Sequence, residues 1–188
     1  MGKTHWVRAR HAPVRRLLVW DPAGDWTQEH ALGGGRITIG EFLERARAGH
    51  YNAGVLRLAV RPTWRGKIAE EFELFCRAAF RIGALRAVVE EVSFVASPQS
   101  LGPHFLRLIV AGRHRGVSLC VVGQRYAQFP RTCTSQASFI CTFRQSENAD
   151  VEYLRARLGD VADLVPHLEP RHFVTWTPTG GVLINSPL

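Results

Sequence analysis

The chain has 188 residues, room for one domain with its own core and too little for two. Apolar residues make up 46% and charged residues 21%, an ordinary globular balance that excludes a disordered chain. The formal net charge is +8, an excess that attracts polyanions, of which nucleic acid is the commonest. No apolar run approaches the roughly 18 to 20 residues that cross a bilayer. Lys3, Arg8, Arg10, Arg15 and Arg16 interrupt any signal-peptide pattern, so a soluble, cytoplasmic protein is expected.

A helix is expected to open at Gly2-Lys3-Thr4, continue through HWVRAR and stop before Pro13. Arg16 to Trp20 is a short run of strand formers, followed by Asp21-Pro22-Ala23-Gly24-Asp25, which is strong turn chemistry. Gly33-Gly34-Gly35 reads as a flexible loop, since no Lys-Ser/Thr follows it. Ile39 to Ala48 places Phe42, Leu43 and Ala46 at helical spacing, and Gly54 to Val60 is a second strand. Pro62 to Ile82 reads as a long amphipathic helix with Ile68, Phe72, Phe75, Cys76 and Ala79 on one face. A third strand, Leu85 to Val89, runs into Glu90-Glu91, and a helix follows from Pro103 to His114. Val117 to Val122 and Ser138 to Phe143 are the fourth and fifth strands. Asp150 to Leu158 is a helix, Pro170 to Thr177 a strand and Gly181 to Asn185 its hairpin partner.

Strands alternating with helices predict an α/β fold over residues 1–188: a mostly parallel sheet flanked by helices, with a C-terminal antiparallel hairpin at one edge. The four cysteines lack ligand spacing and are expected to be reduced and structural. None of the eight histidines falls in an HExxH or HxxxH pair.

Three segments carry chemistry. Gly2-Lys3-Thr4 has the end of a GxxxxGK[ST] phosphate-binding loop, in which amides and lysine hold phosphates and the hydroxyl binds magnesium. LRAVVEEV is an apolar strand ending in two carboxylates, the Walker B arrangement of one acid for the magnesium shell and one for the attacking water. GRHRGVSLCVVGQR places Gln124 at the tip of an apolar strand, where an amide can sense a γ-phosphate.

The order of these pieces, with VWDPAGDW between the first two and SFICTFRQSENAD after the third, resembles the FtsK/HerA superfamily of P-loop ATPases. Within it, the chain is most similar to the small DNA-packaging ATPases of viruses and prophages, over roughly residues 2 to 160. The resemblance implies a RecA-like core that hydrolyses ATP with Mg2+ to move double-stranded DNA, assembled as a homo-oligomeric, hexameric ring. By the same resemblance Gly2 and Lys3 bind phosphates, and Thr4 and Glu90 hold magnesium. Glu91 is the catalytic acid and Gln124 the sensor. Arg113, Arg115 and Arg144 are three candidates for an arginine completing a neighbour's site. Arg125, Tyr126 and Arg131 offer a basic and aromatic mix suited to a DNA backbone, in competition with the loop 96–103.

Two departures stand out: Glu90 replaces the usual Asp, and Gly123 replaces the Thr of a T-Q-R strand end. The first strand and the leading glycine of the loop are missing, so Met1 reads as an internal residue and the chain as written is expected to bind nucleotide poorly. Two other readings stay open. One is a degenerate P-loop domain with a structural or regulatory role, and the other an assembly ATPase like the zonula occludens toxin-like phage proteins.

Overall fold

The computed structural model describes residues 2–26, 35–65 and 67–187. Gly33 and Gly34 of the expected glycine loop, and Met1, lie outside them. Helix α1 (Lys3–His11) starts on the GKT tripeptide, and its last turn closes before Pro13. The strand β1 (Arg16–Trp20) pairs in parallel with β3 (Leu56–Arg61) on one side and β4 (Arg86–Val89) on the other. β2 (Arg36–Thr38) lies beyond β3, and β5 (Ser118–Val121) beyond β4, which gives a five-stranded parallel sheet in the order β2-β3-β1-β4-β5.

The expected alternation of strands and helices is therefore present, with β1 at the centre. Successive side chains of a strand point to opposite faces, so β1 divides itself between two cores. Leu18 and Trp20 face α2 (Ile39–Arg47), α3 (Ile68–Ile82) and α4 (Pro103–Ala111), where Phe42, Phe72, Phe75 and Phe105 pack. Leu17 and Val19 face α1 and the second sheet, against Trp6, Val7, Trp26 and Phe173. The all-apolar β1 is the expected pattern for a parallel strand covered on both faces.

Side chains finish the helix ends. Thr38 and Glu41 form a reciprocal capping box at the start of α2. Glu73 of α3 accepts the amides of His104 (2.7 Å) and Phe105 (3.1 Å), so one helix caps the next. Gly102 lies so close to that carboxylate that an added Cβ would sit 2.2 Å from Oε1, which explains the glycine there.

Three expectations change. The amphipathic pattern begins at Pro62, but α3 begins at Ile68: Trp64 takes a left-handed φ of 57°, and Glu71 accepts the Thr63 amide at 2.8 Å, which holds the preceding segment out of the helix. β2 went unanticipated because three residues are too short to show a period; pairing with β3 makes it a strand. The segment 138–143 contributes β6 (Ile140–Thr142), which does not join the parallel sheet. It pairs antiparallel with β7 (Phe173–Thr177), itself paired with β8 (Gly181–Asn185), so the hairpin belongs to a separate three-stranded sheet. Alternating apolar residues say that a segment is a strand and nothing about its neighbour, which the packing of Phe173 and Val174 decides here. The short α5 (Arg131–Ser135) and α6 (Asn148–Leu158) complete the chain, and α6 packs its Val151, Leu154 and Leu158 under Val174.

Phe75 is fully buried, with its ring 5.4 Å from that of Trp20 and 5.9 Å from that of Phe42. Phe75→Ala is expected to cost about 3 to 5 kcal/mol. The measurement is urea unfolding, with a lower midpoint at an unchanged slope.

Candidate active site

Parallel strands bring their C-terminal tips to one end of a sheet, and the residues following β1, β4 and β5 meet there. Asp21 follows β1 and is wholly buried. Its carboxylate accepts three backbone amides, from Gly24 (2.9 Å), Asp25 (2.9 Å) and Trp26 (3.1 Å), and so closes the DPAGD turn on itself. Gly24 has φ 78°, and an added Cβ would lie 1.5 Å from the Arg61 guanidinium, so only glycine suits this turn.

The turn delivers Trp26 into the core, where its indole N–H donates to Glu90 Oε1 at 3.0 Å. Arg8 of α1 lies over the Trp26 ring, 5.7 Å from its centroid, and donates to the Asp25 carbonyl. The helix that starts at Lys3-Thr4 is thereby tied to the loop that orients Glu90. Glu90 is only 4% exposed, and burial pushes its carboxyl up to about 7; the Trp26 hydrogen bond opposes that rise, while Glu91, Asp21 and Asp25 add to it.

Glu91 sits at φ 48°, a left-handed conformation that turns it away from the path of β4. Its two carboxylate oxygens each lie 3.3 Å from Gln124 Nε2 at the tip of β5. Gln145, past β6, donates to the Gln124 carbonyl at 3.0 Å. The structure thus brings Glu90, Glu91 and Gln124 together, with Lys3 on the same groove wall as Val122, Gly123 and Phe143. Gly123 has no room for the side chain of a threonine: its Cβ would fall 2.8 Å from the Phe129 ring.

Among the described residues no three His, Cys, Asp or Glu side chains converge on a metal position. The Thr4 hydroxyl and the Glu90 carboxylate are hard oxygen donors, which suits a magnesium ion that takes its other ligands from water and phosphate. A carboxyl ionising near 7 becomes such a ligand once the cation displaces its proton.

The remaining candidates separate by place. Arg115 donates to the Phe80 (3.4 Å) and Arg81 (3.1 Å) carbonyls at the end of α3, and Arg113 lies on the same turn. Both precede β5 and are at the end of the sheet opposite Glu91. Arg144 is exposed next to Gln145, at the same end as Glu91. Arg125 is engaged internally: its Nε pairs with the buried Asp150 at 3.1 Å, and that carboxylate also accepts the Ala127 amide at 2.7 Å. Tyr126 packs against Phe129, and Arg131 lies over Tyr153 while donating to its hydroxyl at 2.7 Å. Sequence reasoning quoted Asp21, Trp26 and Asp150 without a role. The Asp-Pro-x-Gly-Asp turn signal was the available clue for Asp21; nothing local announced the partner of Trp26.

The four cysteines are free, and burial raises each thiol above its ordinary range. Among the described residues no helix is long and apolar enough to cross a membrane.

Glu90 ionises near 7 in the folded chain and near 4.5 when unfolded, so the fold holds the proton between these values. Stability is therefore full below about 4.5 and declines as pH rises through about 7, by at most about 3 kcal/mol. Glu90→Gln is expected to flatten this decline, and Trp26→Phe to move it to higher pH by removing a bond to the ionised form. Thermal unfolding between pH 4 and 9 checks both.

No family model matches the chain. It is 30% identical over 128 residues to Protein P9 of Pseudoalteromonas phage PM2; the match takes in 66% of this chain and spans about half, 54%, of that relative. Its structure superimposes on the genome packaging NTPase B204 from Sulfolobus turreted icosahedral virus 2 in complex with AMPPCP, with a TM-score of 0.75 at 17% identity over 99% of this chain and 90% of that one. The B204 DNA-packaging ATPase from Sulfolobus Turreted Icosahedral Virus gives 0.76 at 17% identity, over 100% and 92%. The N-terminal domain of zonular occludens toxin from Neisseria meningitidis gives 0.51 at 12% identity, over 100% and 88%. The chain has the P-loop NTPase fold of the viral genome-packaging NTPases, to which the order of its sequence motifs pointed.

Proposed function

We propose that the protein is an ATP-dependent, DNA-translocating ATPase of viral or prophage genome packaging. The observation that carries this reading is the Glu91–Gln124 pair at the tips of adjacent parallel strands, beside a buried second carboxylate. The fold shared with NTPases solved in complex with AMPPCP and ATP-gammaS supports it.

In this reading Gly2 and Lys3 hold the phosphates of ATP at the start of α1, with the amide dipoles of that helix end behind them. Thr4 and Glu90 hold Mg2+, which neutralises charge on the phosphates. Glu91 accepts a proton from the attacking water and aligns it with the terminal phosphate. Gln124 fixes the Glu91 carboxylate and, by exchanging that contact for a phosphate oxygen, reports which nucleotide is bound. Trp26 keeps Glu90 in place from behind, so the charge at the site is oriented before substrate arrives.

The chain acts as a homo-oligomeric ring, a hexamer, around double-stranded DNA. Arg144, exposed at the same end of the sheet as Glu91, is the best placed of the three arginines to reach a neighbour's phosphates. The DNA backbone is gripped without reading sequence, by basic residues of which Arg131 is the exposed member of the loop 125–131. Arg125 serves that loop from inside, by neutralising Asp150.

The test is MgATP hydrolysis by the chain with and without duplex DNA. Hydrolysis accelerated by DNA is the expected result. Glu91→Gln is expected to lower the rate by about 10² to 10⁴ while nucleotide binding persists, and Lys3→Ala to weaken binding itself. An Glu91→Gln variant that hydrolyses ATP at the unaltered rate would remove the catalytic assignment, and a chain that binds nucleotide without hydrolysis would be a structural P-loop domain.

A further inference from the structure

The two sheets turn open edges toward each other. β5 ends the parallel sheet and β6 ends the antiparallel one, and neither has a strand on its outer side among the described residues. Both run toward the same end, because Gln145, just past β6, reaches the carbonyl of Gln124, just past β5. Between them lies a cavity of about 690 Å³, walled by Leu119, Cys120 and Val121 on one side and by Phe139 and Cys141 on the other.

The backbone of β5 is only half used. The amides of Ser118 (3.0 Å) and Val122 (2.8 Å) bond carbonyls of the β4 segment, at Leu85 and Val89. Strand alternation then points the Leu119 and Val121 amides into the cavity. Backbone donors facing an apolar cleft need acceptors, and a small apolar ligand supplies none. An extended polypeptide supplies both donors and acceptors, at strand spacing, to two edges at once.

Helix α1 lies across this cavity, lining it from Lys3 to His11. Its start is at the C-terminal ends of the flanking strands, where Gly2 lies against Phe143 so tightly that a Cβ would be 2.7 Å from the ring. Its other end is near Arg86, the first residue of β4, whose charge His11 feels. A helix running antiparallel over a parallel strand, and beginning where that strand ends, is the second half of a strand–helix unit.

We propose that the cleft between β5 and β6 is a strand-docking site, filled by an extended apolar strand of the same polypeptide that runs parallel to both edges and connects through a loop into Gly2. The strand pairs with Leu119 and Val121 on one side and with β6 on the other. It joins the two sheets into one, with β5 and β6 in its interior. Covered by α1 on one face, it takes a run of Val, Ile and Leu, as buried parallel strands do. The inference stands on the two edges and α1, and is independent of the reading of the site as an ATPase.

The experiment fuses to Gly2 a strand of about six Val, Ile and Leu residues followed by a flexible glycine–serine linker. A glycine–serine extension of equal length serves as the control. Hydrogen exchange by NMR is read at single amides, together with maleimide labelling of Cys120 and Cys141 under native conditions. With the apolar strand, exchange at Leu119 and Val121 is expected to slow by about tenfold or more. Ser118 and Val122, already bonded, change less, and labelling of both cysteines slows. Unchanged exchange at Leu119 and Val121 would overturn the proposal, and so would equal protection by the control extension.

Discussion

A carboxylate with no contact to solvent sits at the tip of the central strand, and the site end of the molecule depends on how that burial is satisfied. Asp21 meets three backbone amides within five residues of itself. The desolvation of an ionised group is thus offset locally, and the turn it closes is rigid. That turn determines where Trp26 enters the core, and Trp26 in turn sets the orientation of Glu90. Arg8 on the outer face of the same indole extends the link to α1. A loop with no chemistry of its own therefore aligns the residues proposed to hold phosphate with those proposed to hold magnesium.

Carboxylates in this fold divide by what they accept. Asp21, Glu73 and Asp150 each take backbone amides, and each secures a turn or a helix start. Their acceptor capacity is used by the fold. Glu91 receives only the side-chain amide of Gln124, at 3.3 Å, a contact long enough to be exchanged for another. It also takes a strained left-handed backbone, a cost that the packing of Val92 and the β4 strand sustains. Glu90 lies between these classes: buried like the structural group, yet facing a single neutral donor, so its proton is loosely held near neutral pH.

The strands and most helices were legible in the chain because their patterns are local. VVEE announced a strand ending in two acids, and GVSLCVVGQ a strand ending in an amide, so Glu90, Glu91 and Gln124 were all named before their meeting was seen. The start of α3 was misplaced by six residues because the apolar spacing continues upstream through residues whose backbone is held elsewhere by Glu71. Arg125 was read as a surface contact because Asp150, its partner, is 25 positions away and looks like any helix-start acid. β6 was legible as a strand and illegible as a member of the second sheet.

By itself the sequence determined the alternation of elements, the apolar character of β1 and the residue types at the strand tips, since period, turn chemistry and side-chain identity are written locally. Only the tertiary structure decided which strands are neighbours, that Trp26 reaches Glu90 from 64 residues away, that Arg115 caps α3, and that β5 and β6 face one another across an open cleft. The reason is the same in each case. Backbone and buried polar groups must find partners, and which partner each finds depends on distances that a linear order of residues does not contain.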